Sequence, residues 1–289
     1  MRALKYIISI LFISICSSVG FAQVLRVWQP DVFEEVNTLL INPSRLESNQ
    51  GVFIGNQSFF GSFSDIRSFY GLASIAIGQE KNTGLGLLAR ARQEGELIGE
   101  YRLKMNYWRS VSINKEWTLV AGIQLGAVNT FLKPTRSTAG GAAWAPDLDI
   151  GLTIRSVKNE LSIGSSQMTN STVQPLTQKI TFQRYYSLAT KSVLFSHSDF
   201  EFSMLAFVQL INGLQDVFRF KAIISWRELL NLGVGLGNDG ARFTLMLPEI
   251  RLAESRGFMF GVGYQIPVNK FVAPSFQPFQ IHLGYKILN

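Results

Sequence analysis

The chain has 289 residues, of which 47% are hydrophobic and only 16% charged, with 22 Phe, 25 Gly and a formal net charge of +7. A soluble domain carries about a quarter charged residues, so much of this surface faces something other than water. The aromatic and aliphatic content excludes disorder. No run after residue 22 reaches the roughly 20 consecutive apolar residues of a spanning helix, which leaves a large β protein in an apolar solvent.

Residues 1–22 read as a secretory signal. Arg2 and Lys5 make a basic start, Ile7 to Ile15 an apolar stretch, and Gly20-Phe21-Ala22 a small-x-small site before Gln23. Without Arg2 and Lys5, 25 basic residues face 20 acidic ones and the net charge falls to +5. Cys16 lies in this segment behind Ile15, too bulky for a lipidation site, and the mature chain has no other cysteine. Disulfides and thiolate chemistry are therefore excluded. The remaining positive charge is scattered and gives no nucleic-acid-binding patch.

Residues 23–50 do not alternate. A short helix is expected over residues 31–40, with Phe33, Val36, Leu39 and Leu40 on one side and Asn42-Pro43-Ser44 ending it. This segment is expected to enter the lumen as a plug or to pack at the periplasmic mouth.

Residues 51–289 are a succession of period-2 segments separated by Gly, Asn, Asp, Ser and Pro. Trp117, Leu119, Ala121, Ile123 and Leu125 alternate with Thr118, Val120, Gly122, Gln124 and Gly126; Phe258, Phe260, Val262 and Tyr264 alternate with Met259, Gly261 and Gly263. A water-soluble sandwich also alternates, but its outer face is charged. Here the second face is Gly, Ser, Thr, Asn and Gln, the pattern of a transmembrane antiparallel β-barrel with lipid outside and a small or polar lumen. Fourteen strands are expected, centred near residues 55, 73, 87, 104, 123, 151, 162, 187, 204, 221, 234, 246, 261 and 283. The longest connections, over 130–145, 165–179 and 267–276, each follow an odd-numbered strand, and short turns at 110–115, 156–159 and 226–228 follow even-numbered ones. That parity places the long loops outside a Gram-negative outer membrane and both termini in the periplasm.

Charge on a lipid face costs about 2 to 4 kcal/mol at the midplane, so the scarce ions of the strands are assigned to the lumen. They are Arg90, Arg92, Glu100, Arg102 and Lys104, with Asp147 and Asp149 as counter-ions, and Arg219 and Lys221 farther along. They form either a salt-bridged network or a basic interior for an acidic plug or client tail. Trp108, Trp117 and Trp226 flank short turns and are expected at an interfacial girdle.

Nothing in the sequence points to catalysis, a metal or a cofactor. His197 sits in Ser196-His197-Ser198-Asp199, but neighbours in one turn cannot converge as a triad does. His282 lies on the lumen face between Gln280 and Gly284. Two distant histidines with no carboxylate cluster do not make a zinc site.

The run Leu39-Leu40-Ile41-Asn42-Pro43, shortly after a signal and ahead of a barrel-like chain, resembles the N-terminal signature of the PorP/SprF family of type IX secretion outer-membrane proteins. Thr83-Gly84-Leu85-Gly86-Leu87 and Trp117-Thr118-Leu119-Val120-Ala121-Gly122-Ile123 are similar to later strands of that family. Ser44-Arg45-Leu46-Glu47 stands where the family usually reads Ala-Tyr-Ala-Gly. The resemblance implies a non-enzymatic outer-membrane component that assists export or surface anchoring of secreted clients bearing C-terminal sorting domains, or docks periplasmic ring or translocon subunits. The same layout fits a fatty-acid-channel-like barrel carrying a hydrophobic or small solute.

Overall fold

A computed structural model describes residues 40–48, 50–60, 67–78, 80–95, 97–135, 139–175, 180–211, 216–227, 229–253, 256–266 and 277–287. The expected signal at 1–22 with Cys16, the expected helix up to Leu39 and the connection 267–276 lie outside the described residues. Fourteen strands close into one barrel. The first seven are β1 Gly51–Phe60, β2 Arg67–Ile77, β3 Thr83–Glu94, β4 Ile98–Ser112, β5 Thr118–Leu132, β6 Gly141–Arg155 and β7 Asn159–Ser166. Two short strands, β8 Thr172–Val173 and β9 Ile180–Thr181, pair only with each other. The wall resumes with β10 Tyr185–Ser196, β11 Phe200–Ile211, β12 Val217–Trp226, β13 Leu230–Gly237, β14 Gly240–Ala253, β15 Arg256–Ile266 and β16 Gln277–Ile287. Each expected strand centre falls inside one wall strand.

Neighbours in the wall are sequential and antiparallel, and β1 closes on β16 from Gly51↔Lys286 to Phe60↔Gln277. β1 therefore begins, and β16 finishes, at the same end of the barrel, called the near end below; the other is the far end. Closure leaves no strand edge at this seam, the condition under which a sheet can stand in hydrocarbon.

The two faces separate as the alternation requires. On β4, Tyr101, Leu103, Met105 and Tyr107 are 44–66% exposed, whereas Arg102, Lys104, Asn106 and Trp108 are at most 6% exposed. The outer face continues around the wall through Leu125, Leu152, Ile163, Phe220, Val234 and Phe243. The buried interior is the lumen, and it is unusually polar: Gln57, Gln124, Gln209, Gln280 and His282 are all buried there.

Two expectations about connections are corrected. β5 and β6 stay paired out to Leu132↔Gly141, so the expected loop 130–145 shrinks to 133–140. Its small inward residues Ala143 and Ala145 belong to the ladder, although their composition resembles that of a loop. The expected loop 165–179 instead runs from 167 to 184 and carries β8 and β9.

That second connection begins because β7 stops early. Gln167 takes a left-handed φ of 55° and leaves the wall, so β6 has its β7 partner only from Ile150 to Arg155. Pro146 of β6 lies just beyond this limit. A proline lacks the N–H that a central strand needs, and here β6 is locally an edge. Its carbonyl accepts the hydroxyls of Thr169 and Ser171 at 2.9 and 3.0 Å. Pro248, on β14, sits in the register shift between Leu247 and Ile250.

Leu125→Arg, on the outer face in mid-strand, is expected to cost about 2 to 4 kcal/mol and to lower the fraction of protein whose gel mobility shifts on heating. A heat-shifted fraction equal to that of the parent would mean that the outer face is misassigned.

Candidate functional site

The lumen surface of β3 to β7 is built in rows, because residues opposite one another across antiparallel strands share a face. Toward the near end, Gly84, Trp108, Gly122, Gly151 and Gly164 stand in one register row. Toward the far end follow Gly86, Asn106, Gln124 and Asp149, then Leu88, Lys104, Gly126 and Asp147, then Arg90, Arg102, Val128 and Ala145.

The glycine row holds the N-terminal segment. Leu40, Ile41, Asn42, Ser44 and Leu46 are at most 2% exposed, and Pro43–Ser48 forms a short 3-10 helical segment, called the N-terminal turn below. Proline suits the first position of such a turn, where no N–H is required, and asparagine suits the position before it. Asn42 Oδ1 accepts from the Ser44 amide at 3.1 Å and from the Ser44 hydroxyl at 2.6 Å. Its Nδ2 donates to the Ile163 carbonyl of β7 at 3.0 Å. The Ser166 hydroxyl donates to the Ile41 carbonyl at 3.0 Å, and Ser44 Oγ meets Thr153 Oγ1 at 2.7 Å. Arg45 Nη2 pairs with Glu160 at 2.6 Å. This fit needs glycine: a Cβ on Gly151 would overlap Asn42 Oδ1, and one on Gly122 would overlap the Ser44 amide. The segment runs from Ile41, beside the end of β7, to Gln50, whose side chain accepts from the Ala76 amide of β2 at 3.4 Å. It thus descends toward the near end.

Beyond the amide row lies an ion layer. Lys104 Nζ lies 2.8 Å from Asp147 and 2.5 Å from Asp149; Arg102 lies 2.5 Å from Glu100 and 3.3 Å from Asp147. Lys104 on β4 reaches β6 by passing over Gly126 of β5, which stands between them in register. Arg90 is buried and donates from Nε to Ser68 at 3.2 Å, while Arg92 is half-buried in register with Glu100. Deleting one partner of such a buried pair strands the other and costs about 3 to 5 kcal/mol.

The β7–β10 connection folds over this layer. Val173 and Phe182 pack on the lumen-facing Val128 and Ala145, and the Phe182 ring centre lies 5.6 Å from the Arg102 guanidinium carbon. The Gln167 amide donates to Asp149 Oδ1 at 2.9 Å, and Arg184 Nη2 donates to the Met168 carbonyl at 2.7 Å.

On the opposite wall Arg219 and Lys221 are at most 2% exposed. Arg219 pairs with Asp239 at 2.6 Å, and Arg242 pairs with the same carboxylate. Burial alone would raise the Asp239 carboxyl, but the two guanidiniums outweigh it and hold it below its ordinary value. His282 hydrogen-bonds the Tyr70 hydroxyl and stacks between Tyr70 and Phe53 at ring distances of 5.8 and 6.0 Å. His197 stays in its exposed turn, 3.0 Å from Ser198 Oγ.

Trp108 departs from the expected girdle. It shares parity with Arg102 and Lys104, is 0% exposed and donates to Ser74 Oγ at 3.3 Å, filling the lumen over Gly84. Its place beside a short turn was a misleading cue, since parity and not position in the strand decides the face. Trp117 is half-buried and Trp226 is 42% exposed, both at the near end. Sequence reasoning also missed Arg45 with Glu160, and Asp239 with Arg242. Parity would have found Arg242, opposite Gly235. Asp239 lies in a turn, where no periodicity points inward.

Gly151→Val is expected to expel the Asn42 turn and expose Arg45 to trypsin in folded barrels, whereas Gly71→Ala, whose Cβ meets nothing within 4 Å, leaves cleavage unchanged. Resistance of Arg45 in Gly151→Val would refute the tight fit. For Asp239 the depressed carboxyl contributes stability that is present above the unfolded value, about pH 4, and is lost as pH falls through the lower folded one. Asp239→Asn should therefore destabilise at neutral pH and converge with the parent in acid, as read from the heat-shift midpoint at each pH.

Among solved structures, the toluene transporter TodX of Pseudomonas putida is similar over 91% of this chain and 98% of its own, with a TM-score of 0.52 and 8% identity. The toluene transporter TbuX of Ralstonia pickettii is similar over 88% of this chain and 94% of its own, with a TM-score of 0.51 and 8% identity. At such identity the likeness concerns the outer-membrane barrel fold alone. No curated protein sequence matches. The family described as type IX secretion system membrane protein PorP/SprF matches residues 29–285, which include the Asn42-Pro43 turn, its glycine row and the ion layer. With nearly the whole chain matched, this barrel belongs to the PorP/SprF family of type IX secretion membrane proteins.

Proposed function

We propose that this membrane component of the type IX secretion system is a non-enzymatic adaptor, which assists export or surface anchoring of clients with C-terminal sorting domains and docks periplasmic ring or translocon subunits. The observation that carries this reading is the lumen itself. Along β3 to β7 it is occupied by the chain's own Leu40–Ser48 segment from one side and by Val173 and Phe182 from the other. A barrel filled in this way offers its ends, not its interior, to other molecules. In this reading the near end, with both barrel termini and the short turns at 113–117 and 156–158, faces the periplasmic subunits. The far end, with the connections 133–140 and 167–184, meets the client. The lumen ions then serve as a structural network.

Affinity purification of the tagged full-length protein from detergent-solubilised outer membranes tests this. Secreted proteins with sorting domains or periplasmic ring subunits are expected to co-purify. Purification of the barrel alone, together with uptake of toluene or a fatty acid by vesicles that contain it, would overturn the adaptor in favour of solute transport.

A further inference from the structure

The N-terminal turn and the β7–β10 connection enter the lumen from different parts of the chain, yet both are attached at the end of β7, the turn through Ile163 and Ser166 and the connection through the next residue, Gln167. Asn42 bonds the carbonyl of Ile163 and covers Gly164. Ser166 bonds the carbonyl of Ile41. The next residue, Gln167, begins the connection and donates its amide to Asp149 in the ion layer. Beyond Ser166 the ladder between β6 and β7 has ended, so the direction of the chain here is set by these contacts. The Met168 amide on the Leu148 carbonyl at 2.9 Å and the hydroxyls of Thr169 and Ser171 on Pro146 replace the missing ladder. The end of β7 is therefore a short lever, with the N-terminal turn on one side and the in-folded connection on the other.

We propose that the connection and the N-terminal turn are one coupled element, so that lifting the connection out of the lumen at the far end loosens Ile41 and Asn42 and with them the segment that descends to the near end. Withdrawal of Val173 and Phe182 from Val128 and Ala145 removes the apolar seat of the connection. The Gln167 amide then leaves Asp149, and Ser166, one peptide away, can no longer hold the Ile41 carbonyl in place. The coupling is reciprocal, as any equilibrium coupling between two sites must be. An event at the far mouth is in this way read at the opposite mouth without a conducting path through the barrel. Ser166 and Gln167 are positioning residues here; neither needs to touch a partner.

Hydrogen exchange followed by mass spectrometry on the full-length protein in detergent tests the coupling. Phe182→Ala disturbs only the connection, since Phe182 touches Val128, Ala145, Val173 and Arg102 and not the turn. The Ser44 and Arg45 amides, both bonded to Asn42, are expected to exchange about 5-fold faster or more, the low end of usual coupling between sites. Conversely, Leu46→Ala, buried near Gly86 and Ser74 and away from the connection, is expected to speed exchange at Gln167 and Met168 by a similar factor. Peptides from β12 and β13 report global loosening and should stay unchanged. Faster exchange in the connection with an unaltered turn would overturn the coupling, as would equal acceleration everywhere. Should Phe182→Ala fail to shift on heating, Phe182→Leu gives the same reading at smaller amplitude.

Discussion

The constraint on which everything else rests is the backbone hydrogen bond in hydrocarbon. A strand edge in lipid has no water to satisfy it, so the sheet must close, and β1 meets β16 over ten registered pairs. Closure fixes parity: every second residue faces lipid and every other one faces inward. Whatever cannot face lipid is forced into a lumen that is narrow enough to be filled. The lumen then inherits the problem of the wall, since its amides, guanidiniums and carboxylates need partners as much as the backbone does.

The chain solves that problem with small residues placed in rows. Gly126 lets Lys104 cross a whole strand to reach Asp147 and Asp149. Gly55 leaves room for the Tyr70 ring to lie over it and reach His282, tying β2 to β16 across β1 at the seam. Gly122, Gly151 and Gly164 make a floor onto which Asn42, Pro43 and Ser44 settle. Glycine is a poor strand residue because it has no side chain to pack and loses the most entropy. In these rows the packing is supplied by something else: a long ion, an aromatic ring or the N-terminal turn.

The strands and their faces were legible because a half-lipid, half-lumen environment writes period two into the sequence over many residues. The ion layer followed from the same reading, since Arg102, Lys104, Asp147 and Asp149 could go nowhere but inward. Other parts were not legible because they depend on register between distant strands. That Gly122, Gly151 and Gly164 form one row, or that Arg45 finds Glu160, needs the pairing, and no single segment contains it. Trp108 shows the limit from the other side. Its position near a turn suggested the interface, and only its parity with Lys104 places it inside, over Gly84. The in-folding of the β7–β10 connection depends on Gln167 at φ 55°, a backbone choice that a glutamine seldom makes and that its type does not announce.

The stretch in which this chain departs from its family's usual wording shows how far the wall and the turn are made for each other. Where the family usually reads Ala-Tyr-Ala-Gly, this chain reads Ser44-Arg45-Leu46-Glu47. Buried without partners, a hydroxyl and a guanidinium would each carry the full cost of lost hydration. Here Ser44 meets Thr153, which in turn meets Ser162 at 2.6 Å, and Arg45 meets Glu160. Leu46, larger than the alanine it replaces, finds its space against Gly86, where a Cβ would lie 3.5 Å from its methyl. An alanine at position 44 would ask nothing of Thr153, and an uncharged side chain at 45 would take away the Arg45 partner of Glu160. The polar wall residues of β6 and β7 are thus explained by the turn they receive, and the turn by them.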